Sequence, residues 1–156
     1  EVFELRLNDG QIDEAVLRLI DRAIPYHILF VLVWEDRMRL AVAYKETPDA
    51  KSAGVRVERY YYTDWMPVGE AILRLEGLSM DVVYENLVRR IAGSALGDAP
   101  TSTLRESVAE QGRRERIEKQ IAALEAKIRR EKQPKRKFEL VTQLRELQGQ
   151  IGQMSR

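Results

Sequence analysis

The chain has 156 residues, 44% of them hydrophobic and 33% charged, with a formal net charge of +1; this is the apolar content of one ordinary globular domain with somewhat more charge than one carries. It has no cysteine and a single histidine, His27, which excludes disulfides, thiolate metal sites and cysteine nucleophiles and leaves little for histidine-based metal or acid-base chemistry. The longest apolar run, Ile28 to Trp34, falls far short of the roughly 20 residues of a membrane span, and no leader-like apolar segment opens the chain, so a cytoplasmic protein with no membrane contact is expected.

Phe3, Leu5 and Leu7 alternate with Glu4 and Arg6, the period of a half-buried strand, and Asn8-Asp9-Gly10 breaks it. Ile12, Val16, Leu19, Ile20, Ala23 and Ile24 then form one helical stripe, with Asp13, Glu14, Arg18, Asp21 and Arg22 outside it, and Pro25 ends the helix. The run Ile28 to Trp34 is apolar at every position, so a strand made from it must be covered on both faces. Glu35-Asp36 turns the chain, Met38, Leu40, Val42 and Tyr44 return it as a second strand, and Thr47 to Gly54 is a polar loop. Val55, Val57 and Tyr61 alternate with Arg56, Glu58, Tyr60 and Tyr62 as a third meander strand, which sends Tyr61 inward with Val57 and leaves Tyr60 and Tyr62 on the other face. A second helix runs from about Asp81 to Ile91, with Ser79 as its N-cap. Residues 1–93 are therefore expected to form a small α+β head, mostly antiparallel, with helices packed on its sheet.

Residues 94–103 are small, polar or helix-breaking and read as a linker. Beyond it, Ile117, Ile121, Leu124 and Ile128 are spaced 4, 3, 4, and Leu140, Leu144, Leu147, Ile151 and Met154 are spaced 4, 3, 4, 3, so each stretch carries a heptad seam. The two seams are symmetric about Pro134, a residue that costs about 3 kcal/mol inside a helix. Residues 104–156 are accordingly expected to fold as an antiparallel coiled-coil hairpin turning near Pro134.

The charges divide at the same place. Residues 1–100 hold 12 Lys/Arg and 17 Asp/Glu, net −5, while residues 101–156 hold 14 and 8, net +6. Arg129, Arg130, Lys132, Lys135, Arg136 and Lys137 stand at the hairpin turn against one carboxylate, Glu131. Such a cluster suits nucleic-acid phosphate, whose neutralisation releases counterions; a solvated charged turn is the plain alternative, and no aromatic residue is interleaved with the cluster as stacking on single strands requires. Tyr60, Tyr62 and Trp65 belong to the densest aromatic cluster and are candidates for docking a partner. His27 stands at the entrance of the central strand with no partner in view. Lys45 ends the returning strand, yet Ala43 stands where a restriction-type nuclease needs a carboxylate beside its metal. Phosphate-cradling glycine loops, nucleophile elbows and zinc-protease signatures are missing from the sequence as well. No catalytic residue, metal site or cofactor is expected in this chain.

Several strings in order, Ile24-Pro25-Tyr26-His27-Ile28-Leu29-Phe30, Tyr44-Lys45-Glu46, Tyr61-Tyr62-Thr63-Asp64-Trp65, Leu75-Glu76-Gly77-Leu78, Asp81-Val82-Val83-Tyr84-Glu85-Asn86 and Arg90-Ile91-Ala92-Gly93, resemble the uncharacterised prokaryotic family of domain of unknown function 4391. The likeness continues through the charged tail to near Gln150. It implies the company of helicase-like ATPases and adenine-specific DNA methyltransferases in restriction or phage-defence clusters, an association rather than a mechanism. It also implies a further amino-terminal region ahead of Glu1.

The expectation is a non-enzymatic accessory subunit whose head docks on other protein subunits, a helicase-like ATPase among them, and whose basic tip touches duplex DNA. Two alternatives stand beside it: a metal-dependent nuclease or other DNA-processing enzyme with part of its site in that further region, and a self-assembling coiled-coil protein with no nucleic-acid role.

Overall fold

The computed structural model describes residues 1–24, 26–46, 56–71, 73–96 and 102–154. It divides into two compact units, Glu1–Ser94 and Ala95–Arg156. Pro25, the loop Thr47 to Gly54 and the middle of the linker lie outside the described residues.

In the first unit, strand β1 (Val2–Arg6) leads to helix α1 (Glu14–Ala23), where the Asp13 side chain caps the helix by accepting from the Ala15 N–H at 2.9 Å. Strand β2 (Leu29–Trp34) and strand β3 (Arg37–Glu46) form a hairpin across Glu35-Asp36, and Glu35 adopts the positive φ that a two-residue turn demands. Strand β4 (Arg56–Tyr62) and the two-residue strand β5 (Met66–Pro67) both pair with β3, and helix α2 (Met80–Ala92) follows under a Ser79 cap. The sheet order is β1-β2-β3-β4, antiparallel throughout the meander but parallel between β1 and β2. The mixed sheet and its helices make the head α+β, mostly antiparallel as expected, with β1 and β2 as the one parallel pair among the described strands.

Both faces of the sheet are covered, as the unbroken apolar run of β2 requires. On one face Phe30, Leu32, Ala41, Ala43 and Tyr60 are buried with Leu17 and Ile28, and Ile20 and Ile24 of α1 pack against them. On the other, Tyr84, Leu87, Val88 and Ile91 of α2 are buried, α2 packs on β3 and β4, and the Tyr84 hydroxyl donates to the Ala43 carbonyl at 2.8 Å.

Two expectations are corrected. The sheet-facing stripe of α1 is buried Leu17 and Asp21 with half-buried Ile20 and Ile24, while Val16 and Leu19 are exposed; the stripe is turned because Asp21, a carboxylate, belongs to it. The facing of β4 also changes, because its pairing with β3 steps from Tyr44↔Arg59 to Lys45↔Val57, leaving Glu58 as an extra residue. That bulge shifts the alternation by one. Val57 therefore shares the α1 face with Tyr60 and Tyr62, and Tyr61 is buried on the opposite face.

Asp21 is the polar centre of the head. Its side chain is 0% exposed and pairs at 2.7 Å with the amino group of Lys45, itself 6% exposed. The Tyr60 hydroxyl donates to the other carboxylate oxygen, and the Lys45 amino group also donates to the Tyr26 carbonyl at 2.9 Å. One carboxylate thus ties α1 to β3 and β4.

In the second unit, helix α3 (Leu104–Arg130) starts with a capping box in which Thr103 and Glu106 satisfy each other, and helix α4 (Pro134–Met154) packs back against it. At 1.5 Å per residue they extend about 40 and about 32 Å. The seam residues Ile117, Ile121, Leu124, Ile128, Leu140, Leu144, Leu147 and Ile151 are each half-buried, as a two-helix pair covers them. Pro134 is the first residue of α4 rather than the middle of the turn, a position where its missing N–H costs nothing.

Breaking the Asp21–Lys45 pair leaves a buried charge uncompensated, so Lys45→Ala should lower the free energy of unfolding in urea by about 3–5 kcal/mol. The double replacement Asp21→Leu with Lys45→Met should lose markedly less than the sum of the two single changes. Strict additivity in that cycle would mean the two groups do not depend on one another.

Candidate nucleic-acid interface

The turn of the helical hairpin is made by three residues and organised by one carboxylate. The Glu131 N–H closes α3 on the Lys127 carbonyl at 3.0 Å, and the Glu131 carboxylate accepts from the Gln133 N–H at 2.9 Å. Gln133 in turn receives the Lys137 N–H at 2.9 Å, which starts α4. The second carboxylate oxygen of Glu131 lies 3.6 Å from the Arg136 guanidinium. Glu131 is half-buried by these contacts, whereas Arg129, Arg130, Lys132, Lys135, Arg136 and Lys137 are all exposed.

Helix electrostatics account for only two of the six cations of this cluster. Arg129 and Arg130 occupy the last turn of α3, where the partial negative pole favours cations. Lys135, Arg136 and Lys137 occupy the first turn of α4, which has no acidic residue, so they face a partial positive pole at about 0.3–1 kcal/mol each. Among the described residues the one ion pair at the tip is Arg136 with Glu131. The three cations at the start of α4 are thus placed against the local helix dipole.

Phe138 follows these cations directly and is 73% exposed. It adjoins the cluster and is not interleaved with it. The heptad spacing runs through Leu140 and passes Phe138 by, which is the signal the sequence held.

The other sequence candidates are engaged within the head. Tyr60 is 7% exposed and bonded to Asp21, so its ring is core and not docking surface. The guanidinium of Arg39 lies 4.8 Å from the ring centroids of both Tyr62 and Trp65, and Trp65 meets Trp34 edge-on. Both rings are half-buried in that stack. His27 does have partners: its ring stacks on Tyr84 at 4.0 Å, and its Nε2 lies 3.2 Å from an Asp81 carboxylate oxygen. An apolar hollow of about 320 Å³ opens beside it, lined by Leu29, Leu75, Met80, Tyr84 and Leu87. Lys45 is held by Asp21. Among the described residues no three histidine, aspartate or glutamate side chains converge as metal ligands, and no helix is long and apolar enough to cross a membrane.

A family model described as Domain of unknown function (DUF4391) matches residues 1–151. Neither the curated proteins nor the solved structures gave a match.

Three tyrosines give the head an alkaline limit. Burial, and then the hydrogen bond to the Asp21 carboxylate, push the Tyr60 phenol far above its usual range. Burial and the negative charge of Glu14 raise Tyr62 to about 12, and burial followed by the charge of Asp21 raises Tyr84. The unfolded chain, with tyrosines near 10, releases these protons first, so folding stability is retained below that pH and lost as pH climbs toward the folded values, by up to about 1.4 kcal/mol per pH unit for each group. The urea midpoint should be level from pH 7 to 9 and fall steeply beyond 10, less steeply in Tyr62→Phe. A midpoint that stays level at pH 11.5 would contradict this environment for the phenols.

Proposed function

The chain belongs to this family of unknown function, and on that premise we propose that it is a cytoplasmic, non-enzymatic accessory subunit of a DNA-associated defence system. Its helical hairpin contacts the phosphate backbone of duplex DNA, and its head docks on other protein subunits, a helicase-like ATPase among them. The observation that carries the DNA contact is the tip: six exposed cations around one half-buried carboxylate, half of them placed against the helix dipole. A charged side chain that the local fold disfavours is explained by what it meets outside the fold. The net −5 of residues 1–100 against the net +6 of residues 101–156 supports a division of labour in which the head is repelled by DNA and the tail is drawn to it. The family resemblance supports the partner class.

If about four phosphates are neutralised at a time, the logarithm of the binding constant on duplex DNA should fall against the logarithm of salt concentration with a slope of roughly −3 to −4. Replacing Arg129, Arg130, Lys132, Lys135, Arg136 and Lys137 together with Gln should flatten that slope and weaken binding alike for unrelated sequences, because phosphate contacts position a protein without reading bases. An unchanged slope would place any DNA contact elsewhere. Co-expression with a helicase-like ATPase should give a joint elution peak, and elution solely as the free chain would overturn the accessory role.

A further inference from the structure

We propose that Phe138 is a stacking platform for an unpaired base, so that the hairpin tip recognises DNA in which single-stranded nucleotides adjoin duplex. This rests on the phosphate contact proposed above and specifies its substrate class.

Phe138 is 73% exposed on a helix whose apolar residues Leu140, Leu144, Leu147 and Ile151 are half-buried in the seam. Packing within the hairpin does not account for it. Residues three, four and seven apart share a helix face, so Lys135, Phe138, Thr142 and Arg145 form one stripe, and all four are exposed. The Thr142 hydroxyl is turned back onto the Phe138 carbonyl at 3.1 Å, which leaves the two cations to flank the ring. Cations that track a backbone beside an aromatic face that accepts a base are the two components by which proteins hold single strands without regard to sequence.

Intact duplex does not offer what the ring needs. Its bases are stacked on one another and present edges in the grooves, not π-faces, whereas a nucleotide outside the stack presents its whole face. A lipid surface is the other target of cations beside an aromatic, but it requires a broad apolar helix face. The apolar face of α4 is already committed to α3, and Phe138 is a single ring. Charge complementarity and geometry both favour nucleic acid.

The test is fluorescence anisotropy of the full chain on a labelled duplex and on the same duplex carrying an internal bubble of unpaired thymines. The wild type should bind the bubble about fivefold or more tightly than the duplex. Phe138→Ala should bring the bubble down to the level of the duplex, and Phe138→Trp should keep the preference. Circular dichroism of each variant confirms the fold, which an exposed ring does not support. Equal binding of the two DNAs by the wild type, or a preference that survives in Phe138→Ala, would overturn the proposal while the salt-dependent duplex binding stood. Loss of binding to both DNAs in the six-Gln variant supports the underlying phosphate contact, and its absence would overturn both. Binding to anionic vesicles but to neither DNA would assign the tip to a membrane surface instead.

Discussion

A carboxylate with no exposed surface holds the head together. Asp21 lies on the sheet-facing side of α1, and its two oxygens are taken by the amino group of Lys45 on β3 and the hydroxyl of Tyr60 on β4. Removing both charges from water is expensive, and attraction in a low-dielectric interior repays it only when geometry and the remaining hydrogen bonds are good. Here Lys45 also reaches the Tyr26 carbonyl, at the join between α1 and β2. Apolar contact with Phe30 and Ala41 is non-directional, whereas the ion pair to one lysine and the hydrogen bond from one tyrosine favour one rotation of the helix. Val16 and Leu19 are exposed as the consequence of that rotation.

The same constraint explains what the sequence showed and what it hid. Continuous apolar character from Ile28 to Trp34 disclosed a strand covered on both faces, and the 4, 3, 4 spacing of Ile117 to Ile128 and of Leu140 to Ile151, symmetric about Pro134, disclosed the hairpin. Periodicity alone misplaces the helix stripe because it counts every carboxylate as solvent-facing, and only the distant Lys45 and Tyr60 make Asp21 an interior residue. Strict alternation puts Tyr60 and Val57 on opposite faces because it assumes an unbroken ladder, and the bulge at Glu58 becomes visible only when β4 is laid against β3. At the tip the six cations were legible as a cluster. That Phe138 stands outside the seam was legible too, once its position is set against Leu140, but its exposure depends on how the two helices meet.

Local preference and arrangement disagree most at the hairpin turn. The capping box at Thr103, the proline opening α4 and the Glu131 contacts are each what an isolated helix or turn favours. Lysine and arginine crowded onto the positive pole of α4 are not. The tip is thus where a fold otherwise consistent from residue to residue departs from that consistency, with an excess of positive charge.

The parallel pairing of β1 with β2 bears on the order in which the head assembles. β2, β3 and β4 are joined in a meander whose first turn is two residues, so their pairing closes short loops, whereas β1 reaches β2 only after the chain has passed through α1. Loop-closure entropy favours the short β2–β3 hairpin over the longer connection that brings β1 to β2. Among the described residues β1 stands at the end of the strand order, paired with β2. The Asp21 latch, by seating α1 on β3 and β4, builds the surface on which Phe3 and Leu5 are received. The head can then open by releasing its first strand while the meander and both helices stay closed, giving the amides of Val2–Arg6 a shorter exchange lifetime than those of the strands they join.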